Sequence, residues 1–289
     1  METIDLLNKI RLLEIKTKGL TNQFFSGKYH STFKGSGMTF SEVREYQNGD
    51  EVRTIDWNVT ARFNSPHVKV FEEERELLVM LLVDISESTK VGLHDKSKKE
   101  LALELMAVIA FSALANNDKV GALFISDGVE KFIAPSKGKK HILFILRTFI
   151  ELKPIHTKTN LNKGLEFFRN TLKKRSICFV ISDFIDEHRF EDGLTHISKK
   201  HELIALRIKD LSEDELPDLG LIQLINAEDN STSWVNTSNK QVRIQFKAQK
   251  MNHEARLESC FKRIGITNET IYTTDDYIPT LIKLFKRHK

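Results

Sequence analysis

The chain has 289 residues, 40% hydrophobic and 29% charged, a globular balance that suits one large domain with a smaller attachment. Its net charge of +4 is spread along a sequence in which cations and acids interleave without a long basic block, so nucleic-acid binding is not indicated. Two cysteines, Cys178 and Cys260, form no CxxC and no paired framework and read as reduced, buried thiols; the ten histidines show no HExxH, so zinc is not indicated either.

In chain order, residues 3–18 read as an amphipathic helix carrying Ile4, Leu7, Ile10 and Leu13, without the continuous apolar stretch of a signal peptide. The longest apolar stretch, Leu77 to Ile85, is far short of the ~20 residues that span a bilayer. A soluble, cytoplasmic protein without membrane insertion is therefore expected. Residues 19–76 are polar and punctuated by glycine, and read as loops and short strands around Phe40, Tyr46, Ile55, Trp57 and Phe71. Trp57 is expected to be an apolar anchor. Arg44, Asp50, Arg53 and Asp56 are expected to form an ion-paired network tying this segment to the rest.

From residue 77 strands and helices alternate. Leu77–Val83 is an apolar run of the kind buried on both faces of a sheet, and residues 97–115 follow as a helix. Residues 120–126 and 129–135 read as an antiparallel pair turned by Asp127-Gly128. Helices are predicted at 139–152, 161–173 and 189–200, and strands at 177–183 and 203–209. A late strand is predicted at 241–246, then helices at 248–263 and 276–287; residues 210–240 are left open, with short strands beside the sheet as one reading. The order implies an α/β fold, Rossmann-like, with a mostly parallel sheet and helices on both faces. The expected division is 1–76, a helix and a loop- and strand-rich segment, and 77–289, the α/β domain with a C-terminal extension.

Ligands of such sheets bind at the carboxyl ends of the strands, and two predicted strands end in acids, Asp84 and Asp183. Asp84-Ile85-Ser86-Glu87-Ser88 spaces a carboxylate and two hydroxyls at alternate positions, and Thr159 precedes a helix between the two strands. Asp84, Ser86, Ser88, Thr159 and Asp183 make an all-oxygen set that suits magnesium, with manganese or calcium as alternatives. Five ligands leave a position for a carboxylate from a protein partner. The pattern alone is equally compatible with an N-cap at Asp84 and an Asx turn at Asp183.

These residues resemble the metal-ion-dependent adhesion site of the von Willebrand factor A-type domain. That resemblance implies direct metal contact by Ser86, Ser88 and Thr159 and contact through water by Asp84 and Asp183. A longer set of motifs is similar to the family called domain of unknown function 58: Gly35 and Gly37, Val43-Arg44-Glu45-Tyr46 with Gly49-Asp50, Ile55-Asp56-Trp57, and Glu72–Glu76 ahead of the acid-ended strand. The two resemblances together span about residues 30–210. They imply a non-enzymatic adaptor that works with a MoxR-type AAA+ ATPase in assembling or activating client complexes. Asn160 departs from the residue common in adhesion-type sites, but the threonine before it is kept. A magnesium-dependent hydrolase or phosphatase using the same pocket is the competing reading; Ser86 and Ser182 lack a Gly-x-Ser-x-Gly elbow, and no base can be nominated.

Overall fold

A computed structural model describes residues 37–74, 77–86, 96–155, 159–186, 188–214, 216–225 and 232–287. The chain divides into two compact units: His30–Glu76, and a larger one that includes Leu77–Lys289. The predicted helix at 3–18 lies outside the described residues.

In the small unit, strands β1 (Gly37–Glu45) and β2 (His67–Glu74) pair antiparallel, with a bulge between Phe40 and Glu42. Between them lies the short helix α1 (Trp57–Phe63), whose N-terminus is capped by the Asp56 carboxylate accepting from the amides of Asn58 and Val59. One expectation for this segment fails. Trp57 is 67% exposed: it opens a helix of two turns that has no buried residue, while Val68, on β2, is buried. Within the unit, Arg44 meets Asp50 in a two-pronged pair at 2.8 and 2.7 Å, and Asp56 pairs with Lys69 at 3.3 Å.

The larger unit is built on a six-stranded sheet in the order β10-β7-β6-β3-β4-β5. Its strands are β3 (Leu78–Asp84), β4 (Lys119–Ile125), β5 (Val129–Ser136), β6 (Ile177–Ser182), β7 (Glu202–Lys209) and β10 (Thr267–Tyr272). All neighbours are parallel except the edge pair β4–β5. The predicted strands from 77 to 209 thus form a mostly parallel sheet.

Alternation along each strand divides the core between two faces. Val79, Leu81, Val83, Phe179, Ile181, Ile204 and Leu206 pack with α2 (Lys98–Ala115), α3 (Lys139–Glu151) and α7 (Tyr277–Arg287). Met80, Leu82, Cys178, Val180, Leu203 and Ala205 pack with α4 (Leu161–Thr171), α5 (Glu191–Ser198) and the end of α6 (Lys240–Ile264). Ser97 opens α2 with a reciprocal capping box to Glu100.

The strand expected at 241–246 is instead the start of α6, which runs unbroken through 25 residues. The Asn239 side chain caps it, and nothing breaks it before Gly265, which closes it at φ 77°. The alternation in Gln241–Phe246 therefore reflects no sheet face. The true last strand, β10, was not expected: only Ile271 in it is a buried apolar residue, so it carries almost no apolar signal. Residues 221–225 and 232–236 form a separate antiparallel ribbon, β8–β9, rather than an addition to the sheet.

Candidate metal centre

Strands β3 and β6 are parallel neighbours in the register Val83↔Ile181. Their next residues, Asp84 and Ser182, therefore leave the sheet side by side, with Asp183 one step further. The Ser182 hydroxyl donates to Asp84 Oδ2 at 2.9 Å, and the Ser86 amide donates to Asp84 Oδ1 at 2.9 Å. Asp84, Ser86, Ser182 and Asp183 are all buried. The turn after β6 is an Asx turn in which the Ile185 amide donates to Asp183 Oδ1 at 3.1 Å. It passes through Phe184 at φ 57°, a left-handed conformation that costs on the order of 1 kcal/mol in a residue other than glycine. The fully buried Phe184 ring holds it there, with its centroid 5.9 Å from that of Phe190 and 5.2 Å from that of Phe261.

Thr159 reaches the same end of the sheet by a different route. The Asn160 amide donates to the carbonyl of Ser126, just past β4, at 2.8 Å. The Leu161 amide donates to Asp186 Oδ2 at 2.8 Å, which ties the start of α4 to the loop after β6. Asn160 Oδ1 accepts from the Lys163 amide and caps α4. Thr159 is thereby fixed with 2% exposure, and its Oγ1 has no hydrogen-bond partner among the described residues.

Two further residues belong to this centre. Lys98, the first residue of α2, is 2% exposed and places its Nζ 2.8 Å from Asp183 Oδ2 and 2.6 Å from Glu213 Oε1. Burial disfavours its charge, but the attraction of Asp183 and Glu213 outweighs this and holds its pKa above the ordinary lysine value. Asp84, unlike Lys98, has its charged form disfavoured. Burial, then the charge of Asp183, raise its pKa well above the carboxylate range, against hydrogen bonds from Ser86 and Ser182.

Four of the five predicted ligands, Asp84, Ser86, Thr159 and Asp183, thus lie among the described residues at the carboxyl end of the sheet; Ser88 lies outside them. Lys98, Ser182, Asp186 and Glu213 were not expected. Ser182-Asp183 was visible as a strand end, but Lys98 sits in Lys96-Ser97-Lys98-Lys99-Glu100, which reads as a solvated helix start.

A divalent cation fits these residues on two grounds. An acid whose charge is disfavoured by burial and by a second acid gains from a cation, and an orphaned hydroxyl oxygen is a ready ligand. Among the described residues no group of three or more His, Cys, Asp or Glu is placed to hold a metal, so any such centre depends on hydroxyl oxygens. Asp84, Ser86 and Thr159 are the residues that would hold the ion, with Asp183 beside them and partly neutralised by Lys98.

A family model described as "Protein of unknown function DUF58" matches residues 42–256. The chain is 28% identical over 276 residues to the uncharacterized protein Rv1480 of Mycobacterium tuberculosis strain H37Rv, covering 95% of this chain and 87% of that one. It is 32% identical over 121 residues to the uncharacterized protein YeaD of Bacillus subtilis, covering 42% of this chain and 26% of that one. Among solved structures it is similar to the conserved hypothetical protein BatB from Bacteroides thetaiotaomicron, at 12% identity and a TM-score of 0.47, over 73% of this chain and 98% of that chain.

Proposed function

This chain belongs to the DUF58 family of proteins of unknown function, and on that premise we propose that it is a metal-dependent protein-interaction adaptor. Asp84, Ser86, Ser88, Thr159 and Asp183 form its grip. The observation that carries this reading is the orphaned, buried Thr159 Oγ1 at the same sheet end as an acid pair. Such an oxygen costs ~1–3 kcal/mol unless something bonds to it. A bound magnesium ion would supply a Lewis-acidic centre with a position open to a partner's carboxylate. The protein's own residues preorganise that centre: Ser182 and the Ser86 amide fix the Asp84 carboxylate, and the Phe184 turn fixes Asp183.

The residues favour gripping over chemistry. Lys98, which faces Asp183, is held protonated by two carboxylates and is a poor proton acceptor. The sequence motifs at Gly35–Asp50, Ile55–Trp57 and Glu72–Glu76 support a MoxR-type AAA+ ATPase as the working partner, and a cytoplasmic setting follows from that partner. Among the described residues no helix is long and apolar enough to cross a membrane.

The test is capture of a purified MoxR-type ATPase on the immobilised protein, with magnesium or with EDTA, for wild type and Asp84→Asn. The expected result is capture that needs both the cation and Asp84. Capture indifferent to both would refute the adaptor reading.

A further inference from the structure

Strand β7 ends in two cations on one face of the sheet. Leu203 and Ala205 pack on the side of α6, and Arg207 and Lys209 follow them at the same alternate spacing. Arg207 is 7% exposed and Lys209 4%, so both charges are held out of water. Lys209 is well served: its Nζ meets Asp214 and Glu254 and lies 5.3 Å from the centre of the Tyr272 ring. Arg207 is not. Its ion pair among the described residues joins Nη2 to Glu254 Oε1 at 3.4 Å, on an oxygen that Lys209 already shares. A charge-assisted bond is shorter, at ~2.7–2.9 Å. The buried Arg207 Nε has no hydrogen-bond partner among the described residues.

On α6, beside Glu254, His253 repeats the pattern: its Nε2 is buried and has no hydrogen-bond partner among the described residues. Burial, then the charges of Arg207 and Lys250, lower its pKa against the Phe184 backbone and Glu254. The ring is therefore neutral and within electrostatic reach of the guanidinium. A buried polar group left idle costs stability until a partner completes it, and a buried charge costs more. The place matters too. Arg207 is the register partner of Ser182, which itself lies beside Asp84. Arg207 thus stands at the carboxyl end of the sheet, where ligands of such sheets bind, two strand spacings or roughly 10 Å from Asp84.

We propose that Arg207 and His253 form a binding site for a tetrahedral oxyanion of the phosphate class. The Nε and Nη2 edge of the guanidinium is the fork that takes two oxygens of such an anion. His253, as its Nε2–H tautomer, donates to a third. Three donors favour a tetrahedral anion over a carboxylate, which has only two oxygens to offer. A water molecule would bond both idle atoms but leave the charge of Arg207 with nothing nearer than Glu254 at 3.4 Å. The site uses none of the metal residues, so its occupancy needs no cation and does not rest on the adaptor reading.

The test is calorimetric titration of inorganic phosphate into the full-length protein in EDTA at constant chloride, with glycerol 2-phosphate in a second arm. Saturable binding at one site per chain is expected. It should weaken at least tenfold in Arg207→Lys, which keeps the charge but loses the fork, and in His253→Phe. His253 is only half-buried, so His253→Phe tests the site where Arg207→Lys loosens the fold, and circular dichroism checks both variants. Binding of glycerol 2-phosphate with the same sensitivity to the variants assigns the site to a phosphate group on a larger molecule; its exclusion assigns the site to the free ion. No saturable binding to wild type would overturn the proposal and leave a bridging water as the occupant. Equal affinity in wild type and both variants, or acetate bound more tightly than phosphate, would overturn it as well.

Discussion

At the scale of single residues, Thr159 is the sharpest point in the structure. Its buried hydroxyl lacks a partner, so removing it should relieve a cost of ~1–3 kcal/mol in the metal-free protein. Thr159→Val keeps the branched shape; it should raise metal-free stability in urea by about 1 kcal/mol while weakening manganese binding at least tenfold by calorimetry. A fall in both would make the hydroxyl a structural group. Lys98 gives a pair of opposite signs. Lys98→Met leaves the buried Asp183 and the half-buried Glu213 without their cation, so metal-free stability should fall by roughly 3 kcal/mol while manganese binds more tightly. Tighter binding is the decisive readout, since a lysine that only packs would lower stability and affinity together. Asp84, Thr159 and Asp183 were legible because their neighbours in sequence announce strand ends and a helix start. Lys98 was not, because a lysine among lysines carries no sign of the acids it meets from 85 and 115 residues away.

At the scale of elements, the site depends on how α4 sits on the sheet. A Cβ on Gly164 would come within 2.3 Å of Ile125 Cδ1, so α4 lies too close to β4 for any side chain there. Gly164→Ala should therefore push α4 outward, cost ~1–3 kcal/mol in urea denaturation, and weaken metal binding by displacing Thr159. His201 sets a pH dependence at the other end of the sheet. Its Nδ1 lies 2.8 Å from Ser176 Oγ, and burial, then the charges of Lys200 and Arg175, hold its pKa down at about 4. Below the ordinary histidine value of about 6.5 the unfolded chain takes up a proton that the folded chain refuses, so stability is lost as pH falls from about 6.5 toward 4. His201→Gln should flatten that slope in melting curves taken between pH 7 and pH 5. The strands and helices from 77 to 209 were legible because burial on two faces writes long apolar runs. Strand β10 and the start of α6 were not. An edge strand buries little, and six alternating residues fit a half-exposed helix as well as a strand.

At the scale of the whole molecule, the family motifs and the metal residues are divided between two units: Val43–Asp50 and Ile55–Trp57 lie in the small unit, and Asp84, Thr159 and Asp183 in the larger. The family match at residues 42–256 spans both. The small unit's polar, glycine-punctuated composition betrayed its strands poorly; among the described residues its hairpin shows backbone pairing and polar links such as Arg44–Asp50. A cation that binds the folded chain alone must stabilise all of the larger unit through mass action, by about 2.7 kcal/mol at a hundredfold excess over Kd. The most direct measurement is therefore the shift in thermal unfolding on adding magnesium to wild type, Asp84→Asn and Thr159→Val. The account predicts a rise for wild type that grows with concentration and is absent from both variants. No rise in wild type, or the same rise in all three, would contradict it.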